Sequence, residues 1–180
     1  INPDLHVATQ AEIEETLRQG DTLGIKGNHY VDTALALRSQ NDTYQPNNLL
    51  SQDLTTQLEE KLGRFEFPVV IQLKGLALKT ADNIYGLGFT IMDDAVVITE
   101  AGVLNQPGYF NQDDINKETG LPRFTREEGS RRLYTKEGGL SGLFVDNYLS
   151  LDAGWGDLGG SYGSGRVVIV SGEASQEKSE

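Results

Sequence analysis

There is no cysteine in this chain. That excludes disulfides, thiolate metal sites and thiol nucleophiles. Histidine is scarce as well. His6 and His29 stand in neither HExxH nor any other ligand spacing, and both read as ordinary surface or half-buried residues. With so little histidine, and no GxSxG at a strand-to-helix elbow, a serine triad is not expected. No apolar run is long enough to span a membrane. Basic residues are outnumbered, 15 Lys and Arg against 27 Asp and Glu, for a net charge of −12. A nucleic-acid footprint is not expected on such a chain, and an anionic membrane surface would repel it. No signal peptide is visible. No cofactor or metal is expected. A DxDxDG calcium loop is missing. "GDLGGSYGSG" lacks the lysine and the following helix of a phosphate loop, and it precedes a strand rather than following one.

What is present suits one folded domain. A chain of 180 residues buries about 70% of its unfolded surface, and 37% hydrophobic residues with 21 glycines supply a core. Residues 1–172 read as a single domain and 173–180 as a polar tail. "TQAEIEETLRQG" pairs Thr9 with Glu12 as a capping box, puts Ile13 and Leu17 on one face and stops at Gly20, which predicts a short helix. Leu50, Leu54, Leu58 and Leu62 recur every four residues before Gly63 and predict a second helix. "DTLGIKGNHYVDTALALRSQ" is ambiguous: Leu23 and Ile25 alternate like a strand, and "DTALALRS" suits either state. After Pro68, "VVIQLKGLAL", "IYGLGFTIM" and "AVVITEAGVL" read as strands, with turns at "TADN" and "DD". "NQPGYFNQDD" through "REEGSRR" reads as one long loop, and "RVVIV" as a buried closing strand. Helices then precede strands. The expected class is α+β with a mostly antiparallel sheet and long irregular loops.

One segment has its own vocabulary. From Leu143 to Arg166 there is no Lys, Glu, Gln or Met, although the rest of the chain uses Lys and Glu freely. Leu149, Leu151 and Ala153 alternate with Ser150, Asp152 and Gly154, one apolar face inward and one small polar face outward. The exposed positions carry Tyr, Trp, Asp, Asn, Ser and Gly, the residues of binding loops. The plain alternative is a Gly-rich surface loop. The regular leucine frame argues against it. The genetic code adds a reason for the missing residues. Changing only the adenines of an Asn codon reaches Asp, Ser, Gly, Tyr, Val, Ala, Phe and Leu, but never Lys, Glu, Gln or Met. Trp155 is reached by one adenine change in an AGG Arg codon.

On these residues, "GLSGLFVDNYLSLDAGWGDLGGSYGSGRVVIV" resembles the variable region of diversity-generating retroelement variable proteins, closest to cysteine-poor versions from archaea and small-genome bacteria. "GRVVIV" looks like the closing strand of that family. The resemblance covers the last fifth of the chain, with "RRLYTKEGGLSGL" as lead-in. It implies a C-type lectin fold related to formylglycine-generating enzymes, whose oxidase chemistry does not carry over because it needs cysteines. It also implies a variable region at about 143–165. The diversified positions would be Asp146, Asn147, Tyr148, Ser150, Asp152, Gly154, Trp155, Gly156, Asp157, Gly159, Gly160, Tyr162, Gly163 and Ser164. Leu143, Leu149, Leu151, Ala153, Leu158, Arg166 and Val168 would be the fixed frame. "WGD", Trp155 to Asp157, only partly matches the Trp-Asn-Asp triplet of calcium-dependent lectins, since Gly replaces a ligand Asn.

The expected function is therefore recognition rather than catalysis. The partner would be a macromolecular or cell-surface ligand that the frame does not name, with Tyr148, Trp155 and Tyr162 carrying most of the binding energy. Two alternatives stand beside it. One is a phage or virus receptor-binding tail protein. The other is a carboxylate-based glycan-active enzyme using Asp93–Asp94, Asp113–Asp114 or Glu127–Glu128.

Overall fold

A computed structural model of the chain describes residues 5–20, 29–159 and 164–171. Leu23, Ile25 and the 173–180 tail lie outside them. The first helix, α1 (Gln10–Arg18), starts where its capping box requires. The Glu12 backbone N–H donates to Thr9 Oγ1 at 3.3 Å, and the Thr9 N–H donates to Glu12 Oε2 at 2.8 Å. The chain leaves it through Gly20 at φ +88°. The second helix, α2 (Asn48–Leu62), buries Leu50, Leu54 and Leu58 and ends at Gly63, also at positive φ.

Between the helices lies the main sheet. Its strands are β2 (Tyr30–Leu37), β3 (Val69–Gln72), β6 (Val97–Ile98), β7 (Gly108–Phe110), β8 (Arg131–Thr135), β9 (Leu140–Val145), β10 (Leu151–Ala153) and β11 (Gly165–Arg166). The order is β6-β3-β2-β9-β10-β8-β7, with β11 added beside β2. Pairing is antiparallel except for β10 on β8 and β11 on β2. Two antiparallel pairs complete the fold: β1 (Leu5–Val7) with β12 (Ile169–Ser171), and the hairpin of β4 (Leu76–Thr80) and β5 (Leu87–Ile91). The class is α+β with mostly antiparallel sheets.

β2 is an interior strand, and from Thr33 to Leu37 it is buried on both faces. Ile13 and Leu17 of α1 pack with Val31, Ala34, Ala36, Leu143, Val145, Leu151 and Ala153 on one side. Leu50, Leu54 and Leu58 of α2 pack with Leu35, Leu37, Ile71 and Leu140 on the other. The register between β2 and β9 slips between Asp32 and Ala34. This bulge keeps Ala34 on the α1 side and passes Leu35 and Leu37 to the α2 side. Burial on both faces explains why "DTALALRS" carries no strict alternation and resisted assignment.

Several expectations need correction. Helices do not precede strands: β1 comes before α1, and β2 separates the two helices. "AVVITEAGVL" forms a strand only at Val97–Ile98 and then a 3₁₀ turn at Gly102–Asn105. The long loop ends earlier than expected, since Arg131 and Arg132 begin β8 and Gly108–Phe110 pairs with it. "RVVIV" is not one buried strand. β3 occupies the edge of β2 from Ala34 onward, so β11 pairs only with Tyr30 and Val31 before the chain crosses to β1. Val167 and Ile169 are consequently exposed, while Val168 and Val170 pack on the α1-side core.

Candidate functional site

The odd segment is held by its main chain. Arg38 lies just after β2 and is 6% exposed. Its Nη2 donates to the Ala153 carbonyl at 2.7 Å, its Nη1 to Ser141 Oγ at 3.0 Å and its Nε to the Leu104 carbonyl at 3.2 Å. Ser141 Oγ donates to the same Ala153 carbonyl at 2.6 Å. Asn47 is fully buried before α2, and its Nδ2 donates to the Gly156 carbonyl at 2.7 Å and the Leu140 carbonyl at 2.9 Å. The Gly142 N–H reaches the Trp155 carbonyl at 3.3 Å. Arg131 Nε donates to the Leu149 carbonyl at 2.5 Å, while its other nitrogens hold Glu14 in a buried bidentate pair. Each donor except Gly142, itself on β9, is a side chain outside the segment's candidate positions. Burial lowers the Arg38 pKa to about 10, and Asp42 and Asp152 oppose that drop. It therefore remains a cation at neutral pH.

The aspartates of the segment shape its turns. Asp146 Oδ1 accepts from the N–H groups of Tyr148 and Ser150, each at 2.8 Å. Asp152 Oδ1 accepts from Gly154 at 2.7 Å and Asp157 Oδ1 from Gly159 at 3.0 Å. All three follow the Asx-turn spacing of two residues. Within the first turn Leu149 sits at φ +63°, and its side chain packs against the α1-side core. The period-two alternation thus begins at Leu151, not Leu149.

The candidate positions divide into groups. Asp146, Asn147, Tyr148 and Ser150 form the β9–β10 turn. There Tyr148 is 79% exposed, but Ser150 is buried, contrary to its expected outward position. The main-chain bonds that close the turn draw Ser150 inward. Asp152 and Gly154 are half-buried, with Asp152 on β10 and Gly154 just after it. Trp155 is 51% exposed, and Gly156 is half-buried against Lys136 and Asn47. Gly159 is exposed, yet a Cβ there would stand 2.6 Å from the Tyr85 ring. Gly160, Tyr162 and Gly163 lie outside the described residues. Of the expected frame, Leu143, Leu151 and Ala153 are fully buried, Leu158 packs on the α2-side core and Val168 on the α1-side core. Arg166 is exposed, because β11 ends there at the surface.

Trp155, Asp157, Leu158 and Ser164 come together at the rim of a pocket of about 480 Å³. Its floor is the α2-side face of the sheet where no residue of α2 covers it: Tyr30 and Asp32 on β2, and Gly142 and Phe144 on β9. Leu73 and Phe89 close one side. The Tyr30 and Phe144 rings are tilted at a centroid distance of 5.0 Å. Strand register sets Asp32 opposite Phe144, and Phe144 opposite Asp152. Burial raises the pKa of Asp32 to about 6. Asp152 is raised as well, mainly by burial and then by Asp146, against the N–H groups of Gly154 and Trp155.

The acidic pairs considered for glycan chemistry are elsewhere. Asp93, Asp94, Glu127 and Glu128 are exposed, and Asp114 is tied to Arg126 at 2.5 Å. Among the described residues no group of three or more His, Asp or Glu side chains could hold a metal ion, and no helix is long and apolar enough to cross a membrane. Sequence reading missed Arg38, Asn47, Asp32 and Arg131. The signal for Arg38 and Asp32 was a charge at either end of the apolar run "DTALALR". Asn47 and Arg131 gave no local sign. No protein-family model, curated protein or solved structure matches the chain.

Proposed function

We propose that this is a ligand-binding protein that displays a diversified surface: the variable protein of a diversity-generating retroelement, on a C-type lectin-like scaffold. The observation that carries the reading is the grip on the main chain. Arg38, Asn47, Arg131 and Ser141 hold the carbonyls of Leu149, Ala153 and Gly156, so the fold there asks little of side chains such as Tyr148 and Trp155. A surface rewritten at its side chains needs such a support. The missing Lys, Glu, Gln and Met and the fully buried Leu143, Leu151 and Ala153 agree with it.

A library randomised at Asn147, Tyr148, Trp155 and Asp157, displayed and sorted for protease resistance, tests this. Most members should stay folded, and binders to unrelated proteins should be selectable from them. A library that mostly unfolds would remove the proposal.

The glycan-active enzyme is the second reading, and one feature favours it. Asp32 and Asp152 share a row across three strands, with about 10 Å between their backbones. Against it, Asp152 Oδ1 is occupied by the Gly154 N–H, and Asp152 does not line the pocket. Glycosidase activity lost in both Asp32→Asn and Asp152→Asn would favour the enzyme.

A further inference from the structure

Among the described residues, the buried acids come with cations. Glu14 has Arg131 at 2.5 Å, Asp42 has Lys136 at 3.0 Å and Asp114 has Arg126 at 2.5 Å. Asp32 differs. It is half-buried at the pocket floor and has no ion pair or hydrogen bond among the described residues. The neighbouring polar residue of β2, Thr33, is matched: its hydroxyl donates to Gln10 Oε1 at 2.7 Å. An unmatched carboxylate beside aromatic rings is unfavourable in the free protein, and burial is what raises its pKa.

We propose that the pocket is an organic-cation site. It takes an ammonium or guanidinium group on an apolar stem, with Asp32 as counter-ion and the rings of Tyr30, Phe144 and Trp155 as walls. The chemistry fits on four counts. A carboxylate at the end of an apolar recess selects a cation over a neutral group of the same shape. Aromatic faces add cation–π attraction, for which Trp is the best ring. Asp157 at the rim adds a second negative charge, and no Lys, Arg or His lines the pocket among the described residues. The net charge of −12 favours a cation's approach, and about 480 Å³ lies within the usual size of small-ligand sites. A Lys or Arg side chain of a protein partner and a free amine share this chemistry. The inference deepens the proposed function and rests on it for the rim, Trp155 and Asp157. The floor on β2 and β9 does not depend on diversification.

Trp155 is the single tryptophan, so its fluorescence reports on the pocket directly. The full chain is titrated at pH 7.5 and constant ionic strength with n-butylammonium, n-butylguanidinium and neutral n-pentanol. Both cations should give a saturable change in the millimolar range, with pentanol at least about tenfold weaker. Asp32→Asn should weaken the cations about tenfold and leave pentanol unchanged, and Phe144→Leu should weaken them several-fold. Tighter guanidinium binding assigns an arginine-type ligand, and tighter ammonium binding a lysine-type one. Equal affinity for pentanol and the cations overturns the proposal on the wild-type protein alone, whatever the variants do. So does undiminished cation binding by Asp32→Asn. Failure here removes the cation site and leaves the diversification reading, which the library tests separately.

Discussion

Replacing Asp32 with Asn should make the free protein more stable at neutral pH, although the change lies in a half-buried pocket. The folded carboxyl holds its proton up to about pH 6, whereas the unfolded one releases it near the ordinary value of 3.8. Folding above pH 6 therefore has to keep an anion where it is poorly solvated. The full displacement corresponds to about 3 kcal/mol. Because Asp32 is only half-buried, solvent screening brings the figure to about 1–2 kcal/mol. The sign with pH follows from proton linkage. Between pH 3.8 and about 6 the folded state binds more protons than the unfolded state, so wild-type stability falls as pH rises through that window and levels off above it. Asn removes the group, so its advantage should be greatest at pH 7 and above and fall to about half by pH 5. Urea unfolding followed by Trp155 fluorescence at pH 5, 6, 7 and 8 measures this and stays above the pI of about 4.5. A variant less stable than wild type at pH 7, or a difference that does not change with pH, would refute the reasoning.

Three further outcomes follow from the packing. Arg38→Met should cost about 2–4 kcal/mol in urea unfolding, because it leaves the Ala153 and Leu104 carbonyls with fewer partners and removes the charge that Arg38 sets against Asp152, while Asp42 keeps Lys136. Leu151→Ala should cost about 2–4 kcal/mol, since Leu151 is fully buried, whereas Tyr148→Ala at 79% exposure should change stability by less than about 0.5 kcal/mol. Equal costs at the two positions would contradict the division into frame and display. Gly159→Ala should cost about 1–3 kcal/mol by pushing against the Tyr85 ring, and Tyr85→Ala in the same chain should relieve it in a double-mutant cycle.

Local signals carried the helices well. The Thr9–Glu12 capping box and the four-residue leucine spacing each placed a helix, because capping and amphipathic periodicity are written within a few residues. The α+β class holds, although the order of helices before strands that suggested it does not. Long-range order was not legible. Whether "RVVIV" is one strand or two depends on β3 already occupying the edge of β2, and nothing near Val167 encodes that. Ser150 illustrates the same limit. Its alternation with Leu149 and Leu151 puts it outward, but the turn closed by Asp146 and by Leu149 at positive φ brings it inside. The candidate segment itself was visible in composition. Its supports were not, because Arg38, Asn47 and Arg131 are drawn from distant parts of the chain. The pocket was equally hidden, since Asp32 and Trp155 are 123 positions apart in sequence order.

Diversification leaves a trace in DNA that no folding argument can imitate, and sequencing the DNA that flanks this gene is the most direct test of it. The account predicts a near-copy of the stretch encoding Leu143 to Arg166, beside a reverse transcriptase gene, with differences confined almost wholly to adenines of the copy. Those differences should fall at codons such as those for Tyr148 and Trp155 and spare those for Leu151 and Ala153. A flanking region without such a copy, or a copy whose differences ignore adenine and strike the buried frame, would contradict it.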